Sequence, residues 1–327
     1  MINLLYNEIN IRYREQMKDV SVEGKIVKVL VTGGASNSMA LEVIDKLIGN
    51  GIDVVIADNC KWNMTPHLSG KASYYEVVLH KELLTPIFKK EKVDIVLHLK
   101  SEPITSNKIR DSFDQSEENI HTTTNVLEAC AEAKVQKVIF PSTISVYGNQ
   151  TADAAEDTFL DPFLFEGLSK KMEEQYVMHY HKLYGLNFSI LRFADIYGID
   201  NGGIIAENIE RVKDGHAPVI YGTGQEQRNF LYIDDATDAI LASLTKGDNQ
   251  VINIAANCMH SLEEAAISVS ETVGKLEPVY YSNEDELVSI CPVSVQKAKE
   301  LLGWEAKIPL WEGLQKTLQE YKVRKHL

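Results

Sequence analysis

The first half of the chain alternates between two hydrophobic periods. Lys25-Ile26-Val27-Lys28-Val29-Leu30-Val31 is rich in β-branched residues and stops at Thr32-Gly33-Gly34, which predicts a buried parallel strand and a tight turn. Met39 to Ile48 then carries Leu41, Ile44, Leu47 and Ile48 at helical spacing, until Gly49-Asn50-Gly51 stops it. Further strands are predicted over Asp53 to Ala57 (with Asp58 at its end), Tyr74 to Leu79, Val93 to Leu99, Lys137 to Phe140 and Phe188 to Phe193. Gln115 to Ala133 reads as a helix, and a second long amphipathic helix opens at Phe165-Glu166-Gly167-Leu168-Ser169-Lys170 and runs to Tyr184. Strands alternating with helices point to an α/β fold built on a doubly wound parallel sheet.

After residue 190 the pattern loosens. Ile204 to Lys213 looks helical, the turn Gly222-Thr223-Gly224 precedes a strand over Asn229 to Ile233, and Asp234 to Leu244 is a helix. Val251 to Ala255 is expected as the last strand of the main sheet, and the remainder forms short elements ending in a helix over Trp311 to Tyr321. Met1 to Glu23 has neither a compact apolar stretch nor a cleavage site, so it is no signal peptide. It reads either as an arm docked on the body or as a disordered lead-in.

Composition narrows the partners. The 327 residues are 44% hydrophobic and 24% charged, with a formal net charge of −14, which argues against nucleic acid or an anionic membrane as a main partner. An anionic small ligand remains compatible, because a few local Arg and Lys residues suffice. No apolar run approaches the ~18 residues of a membrane span. Cys60, Cys130, Cys258 and Cys291 form no CxxC pair and read as reduced thiols of a cytoplasmic protein. No metal site is expected: His179 and His181 lie two apart on a predicted helix and face different sides.

A series of short motifs follows the predicted strand ends. It runs Val31-Thr32-Gly33-Gly34-Ala35, Asp58-Asn59, His98-Leu99, Asn119 with Asn125-Val126-Leu127-Glu128-Ala129, then Ser142-Thr143-Ile144-Ser145-Val146-Tyr147-Gly148 and Gly167-Leu168-Ser169-Lys170. Leu191-Arg192-Phe193, Ile196-Tyr197-Gly198, Gln227-Arg228-Asn229-Phe230 and Leu301-Leu302-Gly303-Trp304 complete it. In this order the motifs resemble the NAD-dependent nucleotide-sugar epimerase/dehydratase family, the extended short-chain dehydrogenases, over roughly residues 26 to 321. The resemblance implies a Rossmann domain over 25–193, with 229–256 returning to it, a smaller substrate domain from 194–228 and 257–327, and an N-terminal extension over 1–24. It also implies NAD as cofactor, a UDP- or dTDP-linked sugar as substrate, and a homodimer that pairs the Gln115–Ala133 and Ser169–Tyr184 helices.

The resemblance assigns the site residue by residue. Thr143 and Lys170 match the catalytic Ser/Thr and lysine, but Glu166 stands where the family has a tyrosine base. A carboxylate of ordinary pKa is a poor base for a sugar alcohol unless its surroundings raise it. Glu166 therefore reads either as an altered catalytic base or as the partner of Lys170 in a helical i,i+4 ion pair. Gly33, Ser36, Asp58, His98, Asn119 and Lys170 fall at cofactor positions, and Asp195 and Arg228 at substrate positions. Gly33 supplies the tight turn, whereas Ser36 puts a Cβ where the pyrophosphate should lie. The third glycine place is Met39 without a gap, or Ala40 with one inserted residue. Asp58 matches the acceptor for the adenosine ribose, and the Gly-Asp usually found after the third strand is missing. Arg228 matches the guanidinium that grips the diphosphate, or else forms an ion pair. Asp195 replaces an asparagine donor by a carboxylate, which cannot donate. Thr143-Ile144-Ser145 lacks the acid of the dehydratase pattern and looks more like an epimerase. Two readings stand side by side: a sugar 4-epimerase with an altered base, and a non-catalytic binding or partner protein that keeps the fold.

Overall fold

The computed structural model describes residues 27–34, 38–60, 70–102, 109–150, 152–199, 201–273, 276–281 and 289–324. Its centre is a seven-stranded parallel sheet. The strands are β1 (Lys28–Thr32), β2 (Asp53–Asp58), β3 (Ala72–Glu76), β4 (Ile95–His98), β5 (Lys137–Thr143), β6 (Asn187–Phe193) and, from later in the chain, β11 (Gln250–Ile254). Their order across the sheet is β3-β2-β1-β4-β5-β6-β11, with every pairing parallel. The order reverses between β1 and β4, where the register sets Thr32 beside His98. A crevice opens at such a reversal, beyond the carboxyl ends of the strands.

Because β1 is buried on both sides, its residues alternate between two cores. Val29 and Val31 pack with α1 (Ser38–Gly49) through Ala40, Val43, Ile44 and Leu47. Leu30 faces the other way, toward α2 (Lys81–Glu91), α3 (Ile109–Ala133) and α4 (Phe165–Tyr184), where Phe88, Val126, Leu127, Cys130 and Val177 meet it. This is the layered, doubly wound architecture expected from the sequence pattern. The helix α4 ends at Gly185, whose left-handed backbone (φ 71°) lets its N–H return to His181 O.

A third core joins α5 (Gly203–Lys213), α6 (Ile233–Ser243), α7 (Leu262–Val273) and α9 (Leu310–Arg324) around Tyr197, Ile209, Phe230, Ile233, Val269 and Leu314. Three small sheets knit this region together. The strands β7 (Asp195–Tyr197) and β10 (Phe230–Tyr232) run parallel, as do β8 (Val219–Tyr221) and β13 (Val279–Tyr281). The strands β9 (Gln227–Arg228) and β12 (His260–Ser261) are antiparallel. The short helix α8 (Gln296–Leu302) packs its Leu302 against the first core instead.

Several boundaries differ from expectation for physical reasons. The third strand spans Ala72–Glu76 rather than Tyr74 to Leu79, because it is a half-exposed edge strand and its apolar run overshoots the ladder. The helix α3 begins at Ile109, not Gln115; its first turns carry Asp111, Phe113 and Asp114 outside the core and show no apolar period. The helix α2 has Pro86 inside it, a residue that usually ends a helix, and the sequence pattern singles out no helix there. No helix among the described residues is long and apolar enough to cross a membrane.

Candidate functional site

A cleft of about 550 Å³ lies beyond the carboxyl ends of β4, β5 and β6. Thr143, Glu166, Lys170, Asp195, Arg228 and His98 all line it, so most residues singled out in sequence converge there. Two backbone contacts set the geometry. Gly33 has φ 74°, and a Cβ on it would sit 2.6 Å from the Lys100 backbone, so the turn after β1 passes directly against the chain leaving β4. A Cβ on Gly167 would lie 2.6 Å from Ser145 O. The glycine therefore seats the first turn of α4 on the 3-10 turn Ile144–Tyr147, bringing Glu166 and Lys170 up to Thr143.

Lys170 anchors a buried polar chain. Its ammonium donates to Glu173 Oε2 (3.3 Å) and lies 4.8 Å over the Phe140 ring. Thr123 also donates to Glu173 Oε2 (2.7 Å), and Ser169 to Oε1 (3.2 Å). Thr123 Oγ1 is in turn 3.0 Å from His98 Nε2, and Thr32 Oγ1 is 2.6 Å from His98 Nδ1. Burial, reinforced by the Lys170 charge, pushes His98 down to about 3, so the imidazole is neutral near pH 7. The expected i,i+4 ion pair between Glu166 and Lys170 does not form. Glu173, three residues on, lies on the inner face of α4 and takes the ammonium, while Glu166 in the first turn faces the cleft.

Glu166 is accessible to water inside the cleft, although protein crowds it on most sides. That crowding raises its carboxyl above the ordinary carboxylate range, and Asp195 adds to the effect while Lys170 and Arg228 oppose it. Water reaching the group limits the shift. Thr143 caps the 3-10 turn: its Oγ1 donates to Ser145 Oγ (3.0 Å) and accepts from Ser145 N–H (3.1 Å). Across the cleft, Arg228 Nε donates to Asp195 Oδ2 at 2.5 Å.

The remaining positions lie around the rim or in the frame. Asn119 holds the chain after β4, accepting from Glu102 N–H (2.6 Å) and donating to Glu102 O (2.9 Å). Asp58 is fully buried at the end of β2 and accepts from Cys60 N–H (3.3 Å). Ser36 lies outside the described residues. Ala40 is fully buried against the sheet and Met39 lines the cleft, so Ala40 holds the helix–strand packing place. Lys100 pairs with Glu102 at 2.8 Å. Tyr147 is structural: its hydroxyl donates to Asn253 Oδ1 (2.7 Å) and accepts from Arg192 Nη1 (2.8 Å), and burial pushes it up to about 12. Arg192 also forms a bidentate pair with buried Glu174, at 2.9 and 2.7 Å. Sequence reading missed both Glu173 and Glu174. Adjacent carboxylates on a helix look solvated, and nothing in their spacing announces buried partners.

A sequence model of the NAD dependent epimerase/dehydratase family matches residues 29–255. A putative UDP-glucose 4-epimerase of Methanocaldococcus jannaschii is 28% identical over 302 residues, covering 90% of this chain and 98% of that protein. The UDP-glucose 4-epimerase of Thermotoga maritima, solved with UDP-glucose, is 30% identical with a TM-score of 0.85, covering 91% of this chain and all of the other (100%). A UDP-glucose 4-epimerase of Thermus thermophilus in complex with NAD gives a TM-score of 0.82 at 25% identity, covering 90% of this chain and 99% of the other.

Proposed function

Because the chain belongs to the NAD dependent epimerase/dehydratase family, we propose that it binds NAD and a UDP- or dTDP-linked sugar and epimerises the sugar with Glu166 as the proton acceptor. The observation that carries this reading is the convergence of Thr143, Glu166 and Lys170 on one cleft at the sheet reversal. The residues fit a dinucleotide. Gly33 gives the close turn and Lys170 brings an ammonium to the cleft, while the Asp58 carboxylate, at the end of β2, is covered and would have to be uncovered to meet a ribose. When bound, NAD supplies the hydride acceptor for the sugar carbon.

The chain's own groups then have separate tasks. The Thr143 hydroxyl holds the oxygen of the reacting sugar hydroxyl, and the Glu166 carboxylate takes its proton. The raised pKa of Glu166 makes it a stronger base than an ordinary carboxylate. Glu173 is a positioning residue that fixes the Lys170 ammonium. Arg228 is the cation available for the diphosphate, a task suited to its guanidinium fork, once it leaves Asp195.

The Asp195–Arg228 pair favours a second reading, in which the protein binds nucleotide sugars without turning them over. One experiment separates them. Calorimetry with NAD, followed by UDP-glucose and UDP-galactose interconversion assays on the native chain and on Glu166→Gln, should show binding by both and turnover only by the native chain. Binding without turnover supports the second reading, absence of bound or bindable NAD defeats the enzyme reading, and ordinary turnover by the native chain defeats the second.

A homodimer belongs to the same proposal. Phe113 on α3 and Leu168, Met172 and Tyr176 on α4 are exposed along one groove of about 720 Å³. Val126, Leu127, Cys130 and Val177 on the same two helices are buried inside the fold, so the interface would be formed by the exposed set. Sedimentation that returns a monomer at micromolar concentration would remove the dimer. The free thiols Cys60 and Cys258, both exposed, agree with a cytoplasmic setting.

A further inference from the structure

A second cluster of reactive groups lies on the far side of Arg228. Cys258 is exposed, and its Sγ lies 3.2 Å from His260 Nε2. The other ring nitrogen, Nδ1, faces Glu264 Oε2 at 3.6 Å. Glu264 is itself fixed, because it and Ser261 cap the start of α7 reciprocally. Ser261 N–H donates to Glu264 Oε2 (3.0 Å), and Glu264 N–H to Ser261 Oγ (3.0 Å). The thiol thus has an imidazole within hydrogen-bond reach, and a carboxylate 3.6 Å from the other ring nitrogen favours a positive charge on that ring.

The other cysteines lack this arrangement. Cys130 and Cys291 are buried, and burial pushes both thiols up. Cys60 is exposed but faces the amide oxygen of Asn59 at 3.5 Å, which cannot take up a proton. Only Cys258, among the described residues, combines exposure with a base.

We propose that Cys258 is a thiol-modification site, with His260 as its base, that takes low-molecular-weight disulfides and reports on the substrate cleft. His260 accepts the Cys258 proton, and the thiolate attacks one sulfur of the disulfide RSSR. The Cys258–S bond forms as the S–S bond breaks, and the departing thiolate takes the proton from His260 to leave as RSH. Cys258 and one RSSR sulfur end as a mixed disulfide, and a free thiol reverses the step.

The position couples the site to the cleft. His260 is the cross-strand partner of Arg228, and Leu262 lines the cleft wall. Asn229, next to Arg228, donates to both Ala256 O (2.9 Å) and Cys258 O (3.3 Å). An adduct on Cys258 therefore sits beside β9, the strand that carries Arg228 of the Arg228–Asp195 pair. Its effect on ligand binding rests on the nucleotide-sugar reading above.

The test is incubation of the native protein with oxidised glutathione, with adducts mapped by peptide mass. Cys258 should react first, and His260→Gln should slow it by about tenfold or more, the scale of losing a positioned base. Glu264→Gln should slow it less, with Cys60 unaffected in both. Cys130 and Cys291 staying unreactive reports that each variant is folded. Equal rates at Cys258 and Cys60, or an unchanged rate in folded His260→Gln and Glu264→Gln, overturns the proposal. Calorimetry with UDP-glucose on native and glutathionylated protein should then show severalfold weaker binding by the adduct. If neither form binds UDP-glucose while Cys258 still reacts in a His260-dependent manner, the nucleotide-sugar reading fails and the thiol site stands.

Discussion

Asp195 and Arg228 show how one carboxylate can engage a cation that faces a pocket. The pair is formed across β7 and β9, with side chains 27% and 21% exposed, so it is neither a fully screened surface contact nor a sealed core pair. A diphosphate entering the cleft meets a guanidinium already holding a carboxylate, plus the repulsion of that carboxylate. Asp195→Asn keeps the shape, removes the repulsion and restores a donor. It should tighten binding of UDP-glucose by roughly tenfold, about 1.4 kcal/mol, within the range of a charge-assisted hydrogen bond. Titration calorimetry reads this directly. Unchanged or weaker binding would mean that Arg228 does not meet the phosphates. The substitution also takes away the charge that helps raise Glu166, so Glu166 should titrate lower in the variant.

At the scale of elements, α4 carries Glu166 and Lys170 into the cleft, and Gly167 sets how closely its first turn seats on the Ile144–Tyr147 turn. A methyl group there would press on Ser145 O and on Pro162. Gly167→Ala should destabilise the fold by about 1–3 kcal/mol, the usual cost of overpacking a close contact. It should also shift Glu166 and Lys170 away from Thr143, weakening NAD uptake. Urea unfolding and calorimetry on the same sample test both, and a variant as stable as the parent would show that the contact yields. The same helix marks what sequence can disclose. Its start and its length to Tyr184 were legible from apolar spacing and motif order. So were β1, β2 and the seven-stranded arrangement, because fully buried strands leave unbroken β-branched runs. The destination of Lys170 was not legible. Glu173 bonds Thr123, 50 residues earlier, and Glu174 bonds Ser142 and Arg192, 32 and 18 residues away. Such partners meet only through the packing of α3, α4, β5 and β6, which spacing within one helix does not encode. The outer turns of α3 escaped for the opposite reason, having no core to impose a period.

For the whole molecule, two buried or half-buried groups pull stability in opposite directions as pH changes. His98 is 3% exposed and its folded pKa of about 3 lies below the ordinary 6.5. The unfolded chain therefore binds a proton that the folded chain refuses, and stability falls as pH drops from 6.5 toward 3. With about 1.4 kcal/mol per unit for one proton, the loss from pH 6.5 to pH 5 is about 2 kcal/mol. Glu42 on α1 behaves in reverse. Surrounding protein pushes it up to about 7, with Asp234, Glu320 and Asp45 adding to that and Lys46 opposing it. Here the folded state keeps the proton longer, so stability is full below 4.5 and falls as pH rises toward 7. Since the Glu42 side chain is 39% exposed, water screens the effect to about 1 kcal/mol or less. The two variants separate these contributions. His98→Gln loses hydrogen bonds to Thr32 and Thr123 and is less stable at pH 7, but its stability should decline less steeply between pH 6.5 and 5. Glu42→Gln should match the parent near pH 4.5 and exceed it by up to about 1 kcal/mol at pH 8. Denaturant unfolding at half-unit steps measures both slopes. A parent-like slope in His98→Gln would place the acid limb on the carboxylates of this strongly anionic chain rather than on the neutral imidazole at the sheet reversal.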